Sequence, residues 1–274
     1  MIISIPSRSR AHTIGNRTLR AIPSNWYSRT YVHCPASEET AYRMALQPFP
    51  GVTLCTVPDE WRIAQKRPYM AEHARSLGNE SFVICDDDVQ FFIRKSDTVL
   101  NLRPAEPDEV FDMFAFMETM LASGPYSHVG VSAREGNNRF GCDKTRYNLT
   151  ITNTRVMRVV GWRVDDILGG NGKEPLEHNR VIVRGDFDYS LQSLRRGRKN
   201  LLLAYWTQGQ DETNHAGGCS VFRTLELAND MAYKLKDLHP DFVTIRQKVN
   251  KTGGLRERTE VTIYWQKAYK SSCK

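Results

Sequence analysis

Two acidic clusters are the residues of this chain best suited to do chemistry. The first, Asp86-Asp87-Asp88, ends the apolar run Ser81-Phe82-Val83-Ile84-Cys85. The second, Asp186 and Asp188, follows Gly185 after Val181-Ile182-Val183-Arg184. Crowded carboxylates repel one another and are costly to desolvate, and a divalent cation relieves both difficulties. Hard oxygen donors suit Mg²⁺ or Mn²⁺, which can then hold a diphosphate. If one cluster does that, the other is free to deprotonate an incoming hydroxyl, the division of labour that group transfer requires. Taken singly, each cluster reads equally well as a solvated loop or a helix cap, with Asp186 suited to an N-cap.

The surrounding elements decide whether the clusters can meet. Strand residues alternate sides, so Asp86 and Asp88 are expected to point one way and Asp87 the other. Ile2 to Ile5, Thr30 to Cys34, Val52 to Val57 and the run ending at Cys85 read as strands. Between them, Ser37 is expected to cap a helix, and Glu60 to Leu77 reads as a long helix that Pro68 breaks near Arg67. Three strand-then-helix alternations ending in carboxylates predict an α/β, Rossmann-like nucleotide fold. No Gly-x-Gly-x-x-Gly or Walker sequence occurs, so neither dinucleotide nor P-loop chemistry is implied. Further on, Pro107 opens an amphipathic helix, Val129 to Ser132 and Asn148 to Asn153 read as strands, and Thr154 to Val160 as a helix stopped by Gly161. Gly169-Gly170-Asn171-Gly172 is a candidate lid or subdomain junction. After Gly185 a helix is expected to turn Phe187, Leu191 and Leu194 inward. Leu201 to Trp206 and Thr259 to Tyr264 read as later strands.

Three polar loops have recognition chemistry. Ser7-Arg8-Ser9-Arg10 offers hydroxyls and guanidiniums to phosphates or a base edge. Arg134-Glu135-Gly136-Asn137-Asn138-Arg139 can read base or sugar edges bidentately, or be a turn built on Gly and Asn. His215, beside Gly217-Gly218-Cys219, is a candidate late metal ligand or polar surface. The net charge of +7 is uneven, with ten Lys and Arg against four Asp and Glu between Lys234 and Lys274. That surplus suits contact with a polyanion such as nucleic acid, and equally a solubilising tail. Six scattered cysteines lack paired spacing, which argues against a zinc site and a disulfide framework and fits a reducing cytoplasm. No uncharged apolar run approaches the ~20 residues of a membrane span, and the N-terminus lacks the pattern of a signal peptide.

The order of Ile5-Pro6-Ser7-Arg8, Asp86-Asp87-Asp88 and Gly185-Asp186-Phe187-Asp188 resembles a glycosyltransferase of the GT-A type. Arg134 to Arg139, and the run from Asp186 through Leu191-Gln192 to Gly197-Arg198-Lys199-Asn200, resemble the TET-associated glycosyltransferases, phage and eukaryotic relatives of the base J glucosyltransferases. The likeness covers roughly residues 1 to 222. It implies a single GT-A-like domain over 1–232, a Rossmann-like mixed sheet flanked by helices. The nucleotide-sugar half would occupy about 1–100 and the acceptor half about 101–232, followed by a basic segment 233–274 that contacts DNA. It also implies a UDP-sugar donor, Mn²⁺ or Mg²⁺, and a 5-hydroxymethylcytosine acceptor in DNA that receives a hexose, glucose first among them, with inversion.

Residue by residue, the resemblance assigns Pro6, Ser7, Arg8, Arg67, Asp86 and Asp87 to the nucleotide sugar and Asp88 and His215 to the metal. Arg134, Asn137, Asn138 and Arg139 would meet the acceptor. Asp186 matches the carboxylate base, but Gly185 stands where many GT-A members have Glu, which leaves the choice between Asp186 and Asp188 open. The competing readings are a glycosyltransferase acting on protein or saccharide, a metal-dependent nuclease or nucleotidyltransferase, and a non-catalytic DNA-binding module.

Overall fold

Strand β1 (Ile2–Pro6) packs Ile3 and Ile5 into one hydrophobic cluster and Ile2 into another, so both its faces are covered. Strands buried on two faces pair in parallel beneath helices. In the computed structural model, which describes residues 1–96, 99–135, 142–143, 146–147, 149–210, 224–249 and 257–273, that is the arrangement. β2 (Thr30–Pro35) and β3 (Thr53–Val57) add to one side of β1 and β4 (Ser81–Cys85) to the other, all parallel. Short helices α1 (Ala11–Ile14) and α2 (Thr18–Ala21) follow β1. α3 (Glu39–Leu46) begins after a 3₁₀ turn, Ala36–Glu38, and Ser37 does not cap it; the Ser37 amide donates instead to Asp59 Oδ1 at 2.9 Å.

α4 (Ile63–Ser76) is one helix with Pro68 inside it, so the expected break near Arg67 does not occur. A proline costs a helix interior ~3 kcal/mol. Burial of Ala64, Met70, Ala71 and Ala74 offsets that loss, and Gln65 Oε1 caps the start by accepting from the Arg62 amide at 3.0 Å. The face opposite α4 is covered by α5 (Pro107–Ser123) through Met113, Phe114, Met117 and Leu121.

The sheet continues with β5 (Val89–Ser96), β6 (Val99–Pro104) and β7 (Tyr126–Ala133). Among the described residues the two-residue strands β8 (Cys142–Asp143) and β9 (Arg146–Tyr147) pair with each other. After β10 (Thr150–Thr152), residues 154–158 are not the expected helix. They lead into β11 (Val159–Arg163), wedged antiparallel between β4 and β7. Gly161 is therefore not a helix stop but a point of close packing, where a Cβ would come within 2.8 Å of Leu121 Cδ1. β-branched Val156, Val159 and Val160 suit this extended backbone.

α6 (Val164–Leu168) leads to the Gly169–Gly172 turn. Arg75 Nη2 holds the Gly169 carbonyl at 2.8 Å, and the Gly170 and Lys173 backbones bond each other, so this segment is pinned where a lid was expected. Val181 to Arg184 form no strand; Val181 and Val183 are buried, and the chain enters α7 (Gly185–Arg195) directly. β12 (Lys199–Gln210) completes a mixed sheet of order β3-β2-β1-β4-β11-β7-β12-β5-β6, with β10 beside β12. Helices flank it, as the α/β expectation requires.

The C-terminal part is folded. α8 (Leu225–Leu238) is capped by Thr224 Oγ1, and β13 (Val243–Val249) with β14 (Glu257–Ile263) forms a separate hairpin ahead of α9 (Trp265–Lys270). Leu235, Phe242, Val243 and Ala268 close over Phe187, Leu191 and Leu194 of α7. Position 232 lies inside α8. Among the described residues no helix is long and apolar enough to cross a membrane.

Candidate functional site

The acidic triplet sits at the carboxyl end of β4, next to the carboxyl end of β1, where open α/β sheets place ligands. It does not extend the strand. Thr18 Oγ1 donates to the Asp86 carbonyl at 2.7 Å and accepts from the Val89 amide at 2.9 Å, clipping the three residues into a turn between β4 and β5. Asp86 Oδ2 and Asp88 Oδ1 both accept from Gln210 Nε2, at 3.0 and 2.6 Å, so these two carboxylates converge as expected, although a turn and not strand alternation brings them together. Asp87 turns to the β1 loop and accepts from Ser7 Oγ, which also pairs with the Tyr42 hydroxyl at 2.5 Å. The expected separation of Asp87 is incomplete, because Arg10 Nη1 bridges Asp87 Oδ1 and Asp88 Oδ2, each at 2.7 Å.

Burial, reinforced by the charges of Asp88 and Asp87, pushes the Asp86 carboxyl up to about 7. Burial also raises Asp87, against the pull of Arg10 and Ser7. The cluster thus holds more negative charge than Arg10 neutralises. Two hard oxygens share one point of approach, a donor set that fits Mg²⁺ or Mn²⁺ with Asp86 and Asp88 as the holding pair.

Asp86 also lines a cleft with Arg67, Arg158, Trp162, Tyr189 and Asp186. Asp186 stands in the first turn of α7, where the Arg155 guanidinium attracts it. Residues two apart on a helix point ~200° apart, and Asp188 accordingly faces the other way. Only 1 % exposed, it accepts from Arg180 Nη2 at 2.5 Å, Gln192 Nε2 at 3.0 Å and His239 Nε2 at 2.8 Å. Burial pushes Asp188 up, but the bonds from His239 and Arg180 outweigh it and hold the carboxyl below its ordinary value. Asp188 ties α7 to the end of α8 and is not brought to the cleft.

Arg67 lies over the Tyr189 ring at 5.4 Å and against Gly185, where a Cβ would come within 2.5 Å of Arg67 Nη1. The glycine at this position therefore makes room for a guanidinium. Arg8 Nη2 donates to the carbonyls of Asp59 and Trp61, the latter at 3.1 Å, while Arg10 of the same loop meets the carboxylates. Lys66 braces the same loop, donating to the carbonyls of Ser7 and His33 at 2.9 and 3.1 Å, and burial brings its ammonium down to about 8. Pro6 ends β1 opposite His33. Arg134 stacks on Phe92 at 4.4 Å and borders a groove that also contains Gln210, at the mouth of the acidic cluster. Asn137, Asn138, Arg139 and His215 lie outside the described residues.

Arg10, Gln210, Arg158 and Thr18 were not foreseen. Arg10 had a signal in the Ser-Arg-Ser-Arg loop. Arg158 adopts a left-handed backbone (φ 67°), rare for a non-glycine residue, and its carbonyl accepts from the Asp86 amide at 2.9 Å; nothing local in the sequence marks it. Of the C-terminal aromatics, Trp265 packs edge-on against Phe187 at 5.7 Å and Tyr269 joins the same cluster, while Tyr233 and Tyr264 are exposed.

No curated protein matches in sequence. The S. aureus TarS 1–349 structure in complex with UDP-GlcNAc is similar at 10 % identity and TM-score 0.49, over 86 % of this chain and 67 % of that one. A GalNAc-T7 structure with UDP, GalNAc and Mn²⁺ is similar at 10 % identity and TM-score 0.46, over 88 % of this chain and 49 % of that one. CMP:2-keto-3-deoxy-manno-octonic acid synthetase complexed with CTP is similar at 11 % identity and TM-score 0.42, over 74 % and 88 %. The model of the TET-associated glycosyltransferases matches residues 1–218, most of the chain, and the protein belongs to that glycosyltransferase family.

Proposed function

We propose that this glycosyltransferase moves a hexose, glucose first among candidates, from a UDP-sugar to the hydroxymethyl oxygen of 5-hydroxymethylcytosine in DNA, with inversion. The observation that carries the reading is the cleft that Asp186 lines together with Asp86, Arg67 and Arg158, with the Arg155 guanidinium attracting the Asp186 carboxylate. A carboxylate lining the cleft opposite an anion-holding pair of guanidiniums is what a single displacement needs. Asp186 accepts the proton of the acceptor hydroxyl as that oxygen bonds to the anomeric carbon. The bond from that carbon to the diphosphate oxygen breaks on the opposite face, and UDP leaves. Arg67 and Arg158 offset its charge in a partly desolvated site. Ser7 and the backbone after Pro6 position the nucleotide, Asp87 fixes that loop, and Arg8 lies at its outer edge. Asp88 with Asp86, and His215 as a further candidate, would hold a divalent cation, which when bound neutralises diphosphate charge.

The DNA acceptor rests on the family's description and on the basic C-terminal segment. There Arg246 and the exposed Tyr233 and Tyr264 offer backbone pairing and stacking. Arg134, with Asn137, Asn138 and Arg139, is proposed to meet the acceptor base. A duplex would present that base in the major groove or flipped out. Transfer to a protein or saccharide is the second reading, and Trp265 and Tyr269, drawn into the core, narrow the stacking surface available to DNA. UDP release from a panel of UDP-sugars with Mn²⁺ or Mg²⁺ separates the two. Stimulation by hydroxymethylated but not unmodified DNA supports the proposal, and stimulation by glycan or protein acceptors alone refutes it.

A further inference from the structure

Away from the acidic cluster, His33, Cys55 and His73 place one donor atom each within 4.8 Å of one another. Strand pairing, not sequence spacing, assembles the set. His33 of β2 and Cys55 of β3 are register partners in parallel strands, so their side chains share a face of the sheet. α4 crosses that face and adds His73, four residues after Tyr69. The sulfur of Cys55 is not in a disulfide. No pair of cysteines signals the site, which is why cysteine spacing argued against zinc.

The independent observation is His33 itself. It is fully buried, and neither its Nδ1 nor its Nε2 has a hydrogen-bond partner; His73 Nδ1 is also buried without one. An unpaired buried polar group costs ~1–3 kcal/mol, and one such nitrogen from each of the two rings, beside one thiol, calls for a shared ligand. The walls are aromatic: Tyr69 lies edge-on to His33 at 5.7 Å and Tyr31 edge-on to His73 at 4.8 Å. They supply contact but no strong acceptor.

We infer that His33, His73 and Cys55 form a binding site for a zinc-class divalent ion, separate from the acidic cluster. Two imidazoles and a thiolate are the borderline-soft donors that Zn²⁺ takes, and a fourth position is left for water. Tetrahedral bonds of ~2.0–2.3 Å hold donors ~3.3–3.8 Å apart, so the side chains must draw in by about an ångström. The nearby Lys66 ammonium opposes a second positive charge, and the Cys55 thiolate, formed on binding, compensates it. The site has a structural consequence. The carbonyl of His33 accepts from the Ser7 amide at 3.0 Å and from Lys66, so an ion on its side chain would brace the loop that carries Ser7 and Arg10.

The test uses chelator-treated full-length protein titrated with Co²⁺ alone, followed by near-ultraviolet thiolate-to-cobalt absorption, with zinc per chain counted by elemental analysis. Wild type and Asp88→Ala, which empties the acidic site, should both develop the band at one equivalent. Cys55→Ser and His73→Asn, at half-exposed positions and verified as folded by circular dichroism, should lose it and bind Co²⁺ at least tenfold more weakly. Absence of the band in wild type, or its persistence in Cys55→Ser, overturns the assignment. Loss of the band in Asp88→Ala with the protein still folded overturns the claim of a separate site.

Discussion

Gly185→Ala isolates the role of Arg67 with a single methyl group. The added Cβ would lie 2.5 Å from Arg67 Nη1, and ordinary contact begins near 3.4 Å, so the guanidinium must retreat by about 1 Å. The obstructing atom is the far end of a flexible side chain, so the fold yields cheaply. Alanine moreover favours a helix over glycine by up to ~1 kcal/mol, and Gly185 opens α7. Stability should therefore hold or rise slightly while the cleft is disturbed. Misplacing a positioning group by ~1 Å costs on the order of 10²-fold in rate. The assay is UDP release against donor concentration, beside urea unfolding, for Gly185→Ala, Arg67→Ala and the double variant. If the methyl acts through Arg67, the double variant is no worse than Arg67→Ala, the signature of coupled sites. Full activity in Gly185→Ala with Arg67→Ala impaired, or fully additive losses, would refute this chain of reasoning.

Other outcomes follow from the same geometry. Asp186→Asn should lower turnover by ~10²–10⁴-fold with an unchanged urea midpoint, whereas Asp188→Ala should cost ~1–3 kcal/mol of stability because it leaves the buried His239 and Gln192 without their shared acceptor. Gln210→Ala removes the amide shared by Asp86 and Asp88, so the metal-free protein should melt earlier and gain more from Mn²⁺ than wild type does in thermal scans. Acid should destabilise the fold through His128. Asn200 Nδ2 donates to its Nε2 at 3.0 Å, and burial brings the imidazole down to about 3. Because the folded value lies below the ordinary ~6.5, this contribution is complete above that pH and is lost as pH falls toward 3. Urea midpoints measured across that window should slope less steeply in His128→Asn.

The nucleotide half was legible because its signals are local. Ile2 to Ile5, Thr30 to Cys34 and Ser81 to Cys85 are apolar runs closed by proline or by charge, and each is a buried parallel strand. Past Leu121, Val129 to Ser132, Leu201 to Trp206 and Thr259 to Ile263 were still legible as strands, but two segments take their identity from partners. Val159 to Trp162 reads as a helix end until β4 and β7 are found on either side, and Val181 to Val183 reads as a strand although no neighbour pairs with it. At the site, helix periodicity alone would have parted Asp186 from Asp188, since both fall in one turn of α7. Gln210 and Arg158 reach Asp86 from 124 and 72 positions away in sequence. Such contacts are written in the sheet order and leave no local pattern. The His33, Cys55 and His73 grouping is hidden for the same reason.

The central claim is that the Asp186 cleft transfers a hexose to hydroxymethylated DNA. Mass analysis of nucleosides, after incubation of 5-hydroxymethylcytosine DNA with UDP-sugars and Mn²⁺ or Mg²⁺, tests it most directly. The account predicts one hexose increment on the modified nucleoside, abolished in Asp186→Ala and Asp88→Ala. An unmodified nucleoside in every donor and metal combination, with hexose appearing on a protein or glycan instead, would contradict it.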